Sequence, residues 1–224
     1  MNTLFITGTD TDAGKTYVSR LLLTGFAIHQ KSAIGLKPIA AGADADGKNA
    51  DAKVLQSLSA VTMPYDMVNP ILLQAPVAPH LAAVREGKTL DFAVLDQQIA
   101  DTAVLGVSMR LIEGAGGWLL PVSDSLYLAD WVVQRQLPVV LVVGMKLGCL
   151  NHAMLTAREL RRSGVTVLGW VANVIDPEML LLDDNIADLT KRLPWPRLAI
   201  VPYQQTASDE LAAQLAAAVL QQLP

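Results

Sequence analysis

The sequence has few charged or aromatic residues and almost no cysteine. Charged residues make up 17% of its 224 residues, aromatic residues make up 5%, and Cys149 is the only cysteine. A single cysteine excludes an internal disulfide, which is typical of proteins in a reducing compartment. We therefore expect a cytoplasmic protein whose fold is held without cross-links.

Long apolar runs and clusters of basic residues are also absent. The longest apolar stretch, residues 137–145, is far too short to span a bilayer, and the first residues lack the basic start of a signal peptide. The formal net charge is −4, with Lys and Arg scattered along the chain. Because proteins that bind nucleic acids or anionic membranes carry a basic patch, the sequence predicts neither as a partner.

Apolar residues, by contrast, are abundant. They make up 52% of the chain, which excludes disorder and leaves apolar surface that a second subunit could cover. No linker or change in composition divides the chain, so we predict a single domain over residues 1–224.

Short β-branched runs alternate with longer helical patterns. This order predicts an α/β fold with a mostly parallel sheet and helices on both faces. The predicted strands are residues 4–7, 33–37, 109–113, 139–143, 168–174 and 198–201. The predicted helices are residues 15–30, 51–58, 80–86, 91–102, 126–135, 151–163, 177–193 and 208–223. In such sheets ligands bind at the carboxyl ends of the strands.

The segment Gly8-Thr9-Asp10-Thr11-Asp12-Ala13-Gly14-Lys15-Thr16 joins the first predicted strand to the first helix. Backbone N–H groups and the helix N-terminus converge there, which predicts a phosphate cradle and a P-loop NTPase fold. Lys15 would meet the outer phosphates, and the Thr16 hydroxyl would ligate Mg²⁺. The strict motif has glycine at the position of Thr9. An ordinary glycine turn is the alternative, which Gly-Lys-Thr at this junction disfavours.

Two carboxylates, Asp10 and Asp12, lie in this anion-binding loop. They would repel phosphates unless a cation lay beside them, so they indicate a metal ion or an amine nearby. Hydrogen bonding within a turn or at a helix N-cap explains them equally well.

Polar residues also follow other strands. Lys37 ends the second strand, which in P-loop folds often lies near the first, and it could reach a transferred phosphoryl group, although a solvated charge is the alternative. Glu113 ends a buried strand before Gly114-Ala115-Gly116-Gly117 and suits a metal carboxylate. Taken alone, Asp51 is interpreted as an acid that complements the dipole at a helix N-terminus. Together Thr16, Asp51 and Glu113 could ligate one Mg²⁺.

Two further junctions are candidates for ligand contact. Asn173 ends a strand, and Asp176 follows it as in a guanine-reading motif whose lysine is replaced by Val174, so base contact is predicted with the base left open. Asn151 is a predicted helix N-cap in the strand-to-helix junction at residues 146–152. Its N–H groups could hold a carboxylate, although capping alone explains it.

As an ordered set, these motifs resemble dethiobiotin synthetases from the N-terminus to about Pro202. The matching segments are residues 8–16, Lys37-Pro38, Asn49-Ala50-Asp51-Ala52, Pro79-His80, Glu113-Gly114-Ala115-Gly116-Gly117-Trp118, Lys146-Leu147-Gly148-Cys149-Leu150-Asn151-His152 and Gly169-Trp170-Val171-Ala172-Asn173. The resemblance implies a homodimeric, Mg²⁺-dependent enzyme of biotin biosynthesis. It would convert 7,8-diaminopelargonate, CO₂ and ATP to dethiobiotin, ADP and phosphate through a carbamate and a carbamic–phosphoric anhydride.

The resemblance also implies roles for the matching residues. Lys37 would stabilise charge on the carbamate and the phosphoryl group, Lys15 would hold the triphosphate, and Thr16, Asp51 and Glu113 would hold the metal. Nucleotide binding is implied for Asp12, Ala13, Gly14, Lys15, Thr16, Tyr17, Asp51, Glu113, Gly114, Ala115, Gly116, Asn173, Pro202, Tyr203 and Gln204. Substrate binding is implied for Thr11, Lys37, Ala41, Leu150 and Asn151, with Leu150 and Asn151 acting across the dimer interface.

The chain departs from the family pattern at three places. Ala41 replaces a substrate-contacting serine, Asp12 replaces a longer glutamate, and the loop at residues 42–49 is short. Losing one neutral hydrogen bond costs about 0.5–1.5 kcal/mol, so we expect weaker substrate binding rather than lost activity.

Three alternatives remain at this stage. A cobyrinate-amidating synthetase would need a glutaminase domain, for which the chain has no room. A partitioning-type ATPase switch usually carries an extra lysine early in the P-loop, which Gly8-Thr9-Asp10 lacks. A paralogue that binds nucleotide without making dethiobiotin is the third.

Overall fold

The protein is described by a computed structural model that covers residues 1–203 and 208–223. Its strands are β1 Asn2–Gly8, β2 Ala33–Leu36, β3 Ile39–Ala41, β4 Ile71–Leu73, β5 Met109–Glu113, β6 Val139–Met145, β7 Val167–Val174 and β8 Arg197–Val201. Six of them form a sheet in the order β2-β5-β1-β6-β7-β8, in which every neighbouring pair is parallel. The predicted α/β class and the six predicted strands are confirmed.

Burial explains why these runs become strands. Every residue of β5, β6 and β7 is buried, so their apolar side chains are covered on both faces of the sheet, as parallel sheets require. Trp131, Trp170 and Phe26 are among the largest side chains that are fully buried in the core.

The helices in the described part of the chain are α1 Lys15–Ile28, α2 Ala50–Leu58, α3 Tyr65–Val68, α4 Pro79–Arg85, α5 Phe92–Ala103, α6 Leu128–Gln134, α7 Cys149–Ser163, α8 Leu182–Arg192 and α9 Asp209–Gln222. The side chains of Asn49, Asp91 and Ser208 cap α2, α5 and α9 by accepting a backbone N–H. None of the described helices combines the length and apolar character that crossing a membrane requires.

Two sequence-based expectations need correction, and one small sheet was not predicted. The N-cap of α7 is Gly148, with φ 92°, so Asn151 lies in the first helical turn and is not the cap. Helix α8 begins at Leu182 rather than at residue 177, because a turn at Asp176 and the left-handed Leu181, φ 53°, separate the intervening residues from the helix. A second, two-stranded parallel sheet of β3 and β4 was not predicted.

Strand order brings the polar strand ends together. Glu113 at the end of β5 is paired with Ile6 of β1, and Leu36 at the end of β2 is paired with Ile112. Lys37 therefore emerges beside Glu113. The expectation that β2 lies near β1 holds only indirectly, because β5 lies between them.

Candidate active site

A cavity of about 650 Å³ opens at the carboxyl ends of β1, β2 and β5. Its lining contains polar residues from the P-loop and the strand ends, among them Thr11, Asp12, Lys15, Thr16, Lys37, Asp51 and Glu113. It also contains an apolar group formed by Ala40, Ala41, Pro76, Val77, Ala78, Pro79, Leu119, Leu120 and Pro121. One cavity thus offers charged groups beside an apolar wall.

The P-loop is held in shape by close packing around Gly14. Gly14 has φ 90°, and a Cβ built there would lie 1.9 Å from Nδ2 of Asn173. That same amide donates a 2.9 Å hydrogen bond to the carbonyl of Ala13. Only glycine fits this position without displacement. Asn173, which is 5% exposed, clamps the loop, and its contact with a base stays a prediction.

Lys15 lies across the loop and binds main-chain oxygens. Its ammonium donates to the carbonyls of Asp10 at 2.9 Å and Gly116 at 2.5 Å. Burial, and then the nearby charge of Lys37, lower the pKa of Lys15 to about 8. A buried cation with neutral acceptors has much to gain from an anionic ligand.

Lys37 is held by carboxylates instead. Its ammonium lies 2.6 Å from Oε1 of Glu113 and 3.3 Å from Oδ2 of Asp51, and it donates to the carbonyl of Gly114 at 3.1 Å. Burial acts to lower the pKa of Lys37, but the two carboxylates outweigh burial and raise it above its ordinary value. Lys37 is therefore a fixed positive charge at the cavity wall.

The three predicted metal ligands meet at the same place. Oε1 of Glu113 accepts a 2.8 Å hydrogen bond from the Thr16 hydroxyl as well as the Lys37 contact. Oε2 of Glu113 is buried and has no hydrogen-bond partner among the described residues. The carboxylate that Thr16 contacts thus keeps one unpartnered oxygen, which would suit a hard cation.

The donor set also indicates which cation would fit. In the described part of the chain, no group of three or more His, Cys, Asp or Glu side chains could hold a metal ion unaided. Mg²⁺ uses few protein ligands and completes its shell with phosphate oxygens and water. Thr16, Asp51 and Glu113 offer oxygen atoms for such a partial shell, and Mg²⁺ binding by them stays a prediction.

The two aspartates of the loop have different surroundings. Oδ2 of Asp10 accepts a 2.6 Å hydrogen bond from the ammonium of Lys146, and Oδ1 accepts one from Thr9 at 3.2 Å. The amine expected near Asp10 is thus a side chain of the protein itself. Asp12, whose φ is 60°, lines the cavity and keeps its charge available to a ligand.

A hydrogen-bond network that sequence reasoning missed supports this arrangement. The Tyr65 hydroxyl accepts from the N–H of Asn49 at 2.7 Å and donates to Oδ1 of Asn69 at 3.0 Å. Nδ2 of Asn69 in turn donates to the carbonyl of Lys37 at 2.6 Å. Tyr65 and Asn69 therefore tie the chain at Lys37 to the start of the helix that carries Asp51. Nothing in the local sequence distinguishes them from ordinary turn residues.

The remaining predicted residues lie at various distances from this centre. Ala41, Ala115 and Gly116 line the cavity, Ala13 is buried beneath the loop, and Gly114 supplies its carbonyl to Lys37. Also outside the lining are Tyr17, which is half-buried on α1, Leu150 and Asn151 on the first turn of α7, and the exposed Pro202 and Tyr203 after β8. Gln204 lies outside the described residues.

Comparisons with known proteins identify the family. A family model described as an AAA domain matches residues 2–210. The chain is 48% identical to the ATP-dependent dethiobiotin synthetase of Pseudoalteromonas translucida, over 92% of each chain. It is 44% identical to the enzyme of the same name from Vibrio cholerae, over 93% of this chain and 91% of that protein.

Solved structures give the same fold at low identity. Cobyrinic acid a,c-diamide synthase from Mycobacterium smegmatis, solved with an ATP analogue and magnesium, matches with a TM-score of 0.60 and 14% identity, covering 99% of this chain and 95% of that one. The cell division ATPase MinD from Pyrococcus furiosus matches with a TM-score of 0.56 and 17% identity, covering 99% of both. At such identities the likeness concerns the fold alone, and it confirms the predicted P-loop architecture.

Proposed function

The chain belongs to the family of ATP-dependent dethiobiotin synthetases, and from that membership we propose that it converts 7,8-diaminopelargonate, CO₂ and ATP to dethiobiotin, ADP and phosphate in biotin biosynthesis. The observation that carries the proposal is the shared cavity. Lys15, Lys37 and two carboxylates converge there beside an apolar wall. Lys15 would suit a triphosphate, Lys37 would suit a carbamate, and the apolar wall would suit an aliphatic chain.

The phosphates are assigned to the P-loop. We propose that the ammonium of Lys15 exchanges the carbonyls of Asp10 and Gly116 for the outer phosphate oxygens, since an ionised acceptor binds it more strongly. Thr16, Asp51 and Glu113 would hold Mg²⁺. Bound there, the metal would neutralise negative charge on the phosphates as the terminal one is transferred.

The carbamate is assigned to Lys37. One amine of the diamine attacks CO₂ and loses a proton, which gives an anionic carbamate. Lys37 stabilises that charge from a position fixed by Glu113 and Asp51, and Asp12 supplies a carboxylate toward the substrate amines. These residues position and neutralise reactants.

Phosphoryl transfer and ring closure complete the reaction. A carbamate oxygen takes the γ-phosphoryl group from ATP and releases ADP. The second amine then attacks the carbamoyl carbon, the bond from that carbon to the phosphate oxygen breaks, and a proton leaves as the cyclic urea forms. Positioning and charge stabilisation suffice for these steps, so no side-chain nucleophile is required.

The apolar lining is assigned to the hydrocarbon chain of the substrate. Pro76 and Val77 on one segment and Leu119 and Leu120 on another could cover methylene groups without polar contacts. Ala41 also lines this space and contributes no hydroxyl. We propose that binding of the diamine relies here on burial more than on hydrogen bonding.

The far ends of both ligands would be bound outside the cavity. We propose that the protein is a cytoplasmic homodimer in which Leu150 and Asn151 hold the substrate carboxylate of the neighbouring subunit. Leu147, at 92% exposed, and Leu155, at 57%, supply apolar surface for that interface. Asn173, Pro202 and Tyr203 are the proposed surroundings of the adenine.

Phosphate release by the purified protein tests the function. The assay contains MgATP and bicarbonate, with and without 7,8-diaminopelargonate, and mass spectrometry measures dethiobiotin. We expect release that depends on the diamine, with an equal amount of product. Release independent of the diamine would favour a nucleotide switch, and bound nucleotide without any release would favour a paralogue with another substrate.

A further inference from the structure

Asp10 has each of its oxygens engaged by the protein. Its carbonyl accepts from Lys15 at 2.9 Å, and Oδ1 accepts from the Thr9 hydroxyl at 3.2 Å. Oδ2 accepts from Lys146 at 2.6 Å, with Nδ1 of His152 at 3.7 Å from the same oxygen. Contacts from three parts of the chain therefore fix this residue.

A carboxylate in a phosphate-binding loop needs such a partner. Left alone, the charge of Asp10 would repel a triphosphate, and two like charges within several ångströms interact strongly at a partly buried site. Asp12, by comparison, forms no ion pair among the described residues and faces the cavity, where an amine would meet it. Of the two loop aspartates, Asp10 is therefore the one whose charge is balanced by a cationic side chain of the protein.

The sheet places Lys146 where it can do this. Strand β6 ends at Met145 and pairs with β1, so its carboxyl end lies beside the start of the P-loop. The side chain of Lys146 is 36% exposed and that of Asp10 is 25% exposed. An ion pair with this burial is screened less than one on the surface.

We propose that Lys146 is a positioning residue for nucleotide binding, resting only on the proposal that the P-loop binds a nucleoside triphosphate. It cancels the charge of Asp10, and it holds the residue whose carbonyl is the resting acceptor of Lys15. Lys146 acts through Asp10 and is assigned no contact with the phosphates.

The test is a set of variants at both positions. Isothermal titration calorimetry measures the Kd of the magnesium complex of β,γ-imido-ATP for the full chain. Lys146→Met leaves Asp10 uncompensated and raises Kd about tenfold or more. Asp10→Asn stays within about threefold of the wild type, because the repelling charge is gone. In the double variant, Asp10→Asn restores affinity to about the same range.

Controls separate this role from a general loss of structure. Lys146→Arg keeps the charge and should keep the affinity, and Lys146→Gln serves as a second variant without charge should Lys146→Met fail to fold. Lys53→Met removes another lysine that pairs with two aspartates, Asp44 and Asp46, and should leave Kd unchanged. Thermal unfolding verifies that each variant is folded.

Two results would overturn the proposal. The first is that Lys146→Met or Lys146→Gln binds the analogue as tightly as the wild type, which would remove any role in binding. The second is that the double variant binds as weakly as Lys146→Met, which would mean that Lys146 acts on the ligand directly. Failure of the proposed function looks different, because wild-type protein would then bind the analogue normally and form no dethiobiotin.

Discussion

Two strand-to-helix junctions of this protein share the backbone conformation of the helix N-cap but differ in the residues that surround it. The junction from β1 to α1 and the junction from β6 to α7 both place a left-handed glycine at the helix N-cap, Gly14 with φ 90° and Gly148 with φ 92°. Both junctions therefore place a helix N-terminus, the positive end of the helix dipole, at the carboxyl end of a sheet strand. Each is suited to an anion.

Their surroundings separate them. A Cβ on Gly14 would collide with Asn173, and Ala13 beside it is fully buried. A Cβ on Gly148 would meet nothing within 4 Å, and Leu147 beside it is 92% exposed. The first junction packs against other parts of its own chain, and residues of its loop line the cavity. The second is open, which suits a ligand shared with another subunit.

The largest expected effect comes from Lys15→Ala. Removing this cation from the first junction should weaken binding of a MgATP analogue by about 2–5 kcal/mol, since the phosphates lose a buried charged partner. Lys37→Ala, which alters neither junction, should leave that affinity nearly unchanged while turnover falls by about 100-fold or more. Calorimetry and the phosphate-release assay measure the two quantities. Equal loss of affinity and turnover in Lys37→Ala would contradict its assignment to the carbamate.

Alanine at the two glycines compares the packing directly. Gly148→Ala should cost about 1–2 kcal/mol of unfolding free energy, from backbone conformation alone. Gly14→Ala should cost about 1–3 kcal/mol more, because its Cβ displaces the Asn173 side chain. Urea unfolding monitored by circular dichroism measures both. Equal costs would show that the first junction is packed no more tightly than the second.

Leu147→Asp tests whether a second copy covers the open junction. A charge at the centre of an interface should weaken association about tenfold or more and raise KM for the diamine, with nucleotide affinity retained. Sedimentation velocity measures the association. Val104→Asp, at a position that is 86% exposed near the end of α5, is the matched control. Association unaffected by Leu147→Asp would place the interface elsewhere.

The smallest effect is expected from Ala41→Ser, on the cavity lining outside both junctions. An added hydroxyl that reaches the substrate should strengthen binding of the diamine by about 0.5–1.5 kcal/mol. The KM for the diamine should fall accordingly, and the nucleotide affinity should not change. Ala78→Ser adds the same group elsewhere on the lining and should not improve KM. Steady-state kinetics measure both variants. No gain in Ala41→Ser would show that this hydrogen bond is not missing.

Local residue chemistry predicted the parts of the site that short segments build. Gly14, Lys15 and Thr16 reveal the cradle because their spacing alone creates it, and Glu113 stands out as an acid at the end of a buried strand. The α/β class follows from the alternation of apolar runs with helical patterns. These features depend on neighbouring residues, so they can be read without knowing the fold.

Contacts across the chain could not be predicted in this way. Lys37 meets Glu113 only because β2 pairs with β5, and Lys146 meets Asp10 across 136 residues. Strands β3 and β4 have three residues each, too few for a periodic signal. The N-cap of α7 was misplaced because a left-handed glycine starts the helix before the asparagine.

The small sheet of β3 and β4 separates part of the apolar cavity wall from the sheet that carries the P-loop. The proposed cradle for the nucleotide is built on the six-stranded sheet, whereas Ala40 and Ala41 of β3 and the residues after β4 form part of the apolar wall. Mutations in this small sheet can change the shape of the pocket for the second substrate without disturbing the strands that carry the phosphate loop. Residues of the small sheet could therefore be varied, in evolution or by an engineer seeking new cyclic ureas, while the ATP-using part of the cavity is kept.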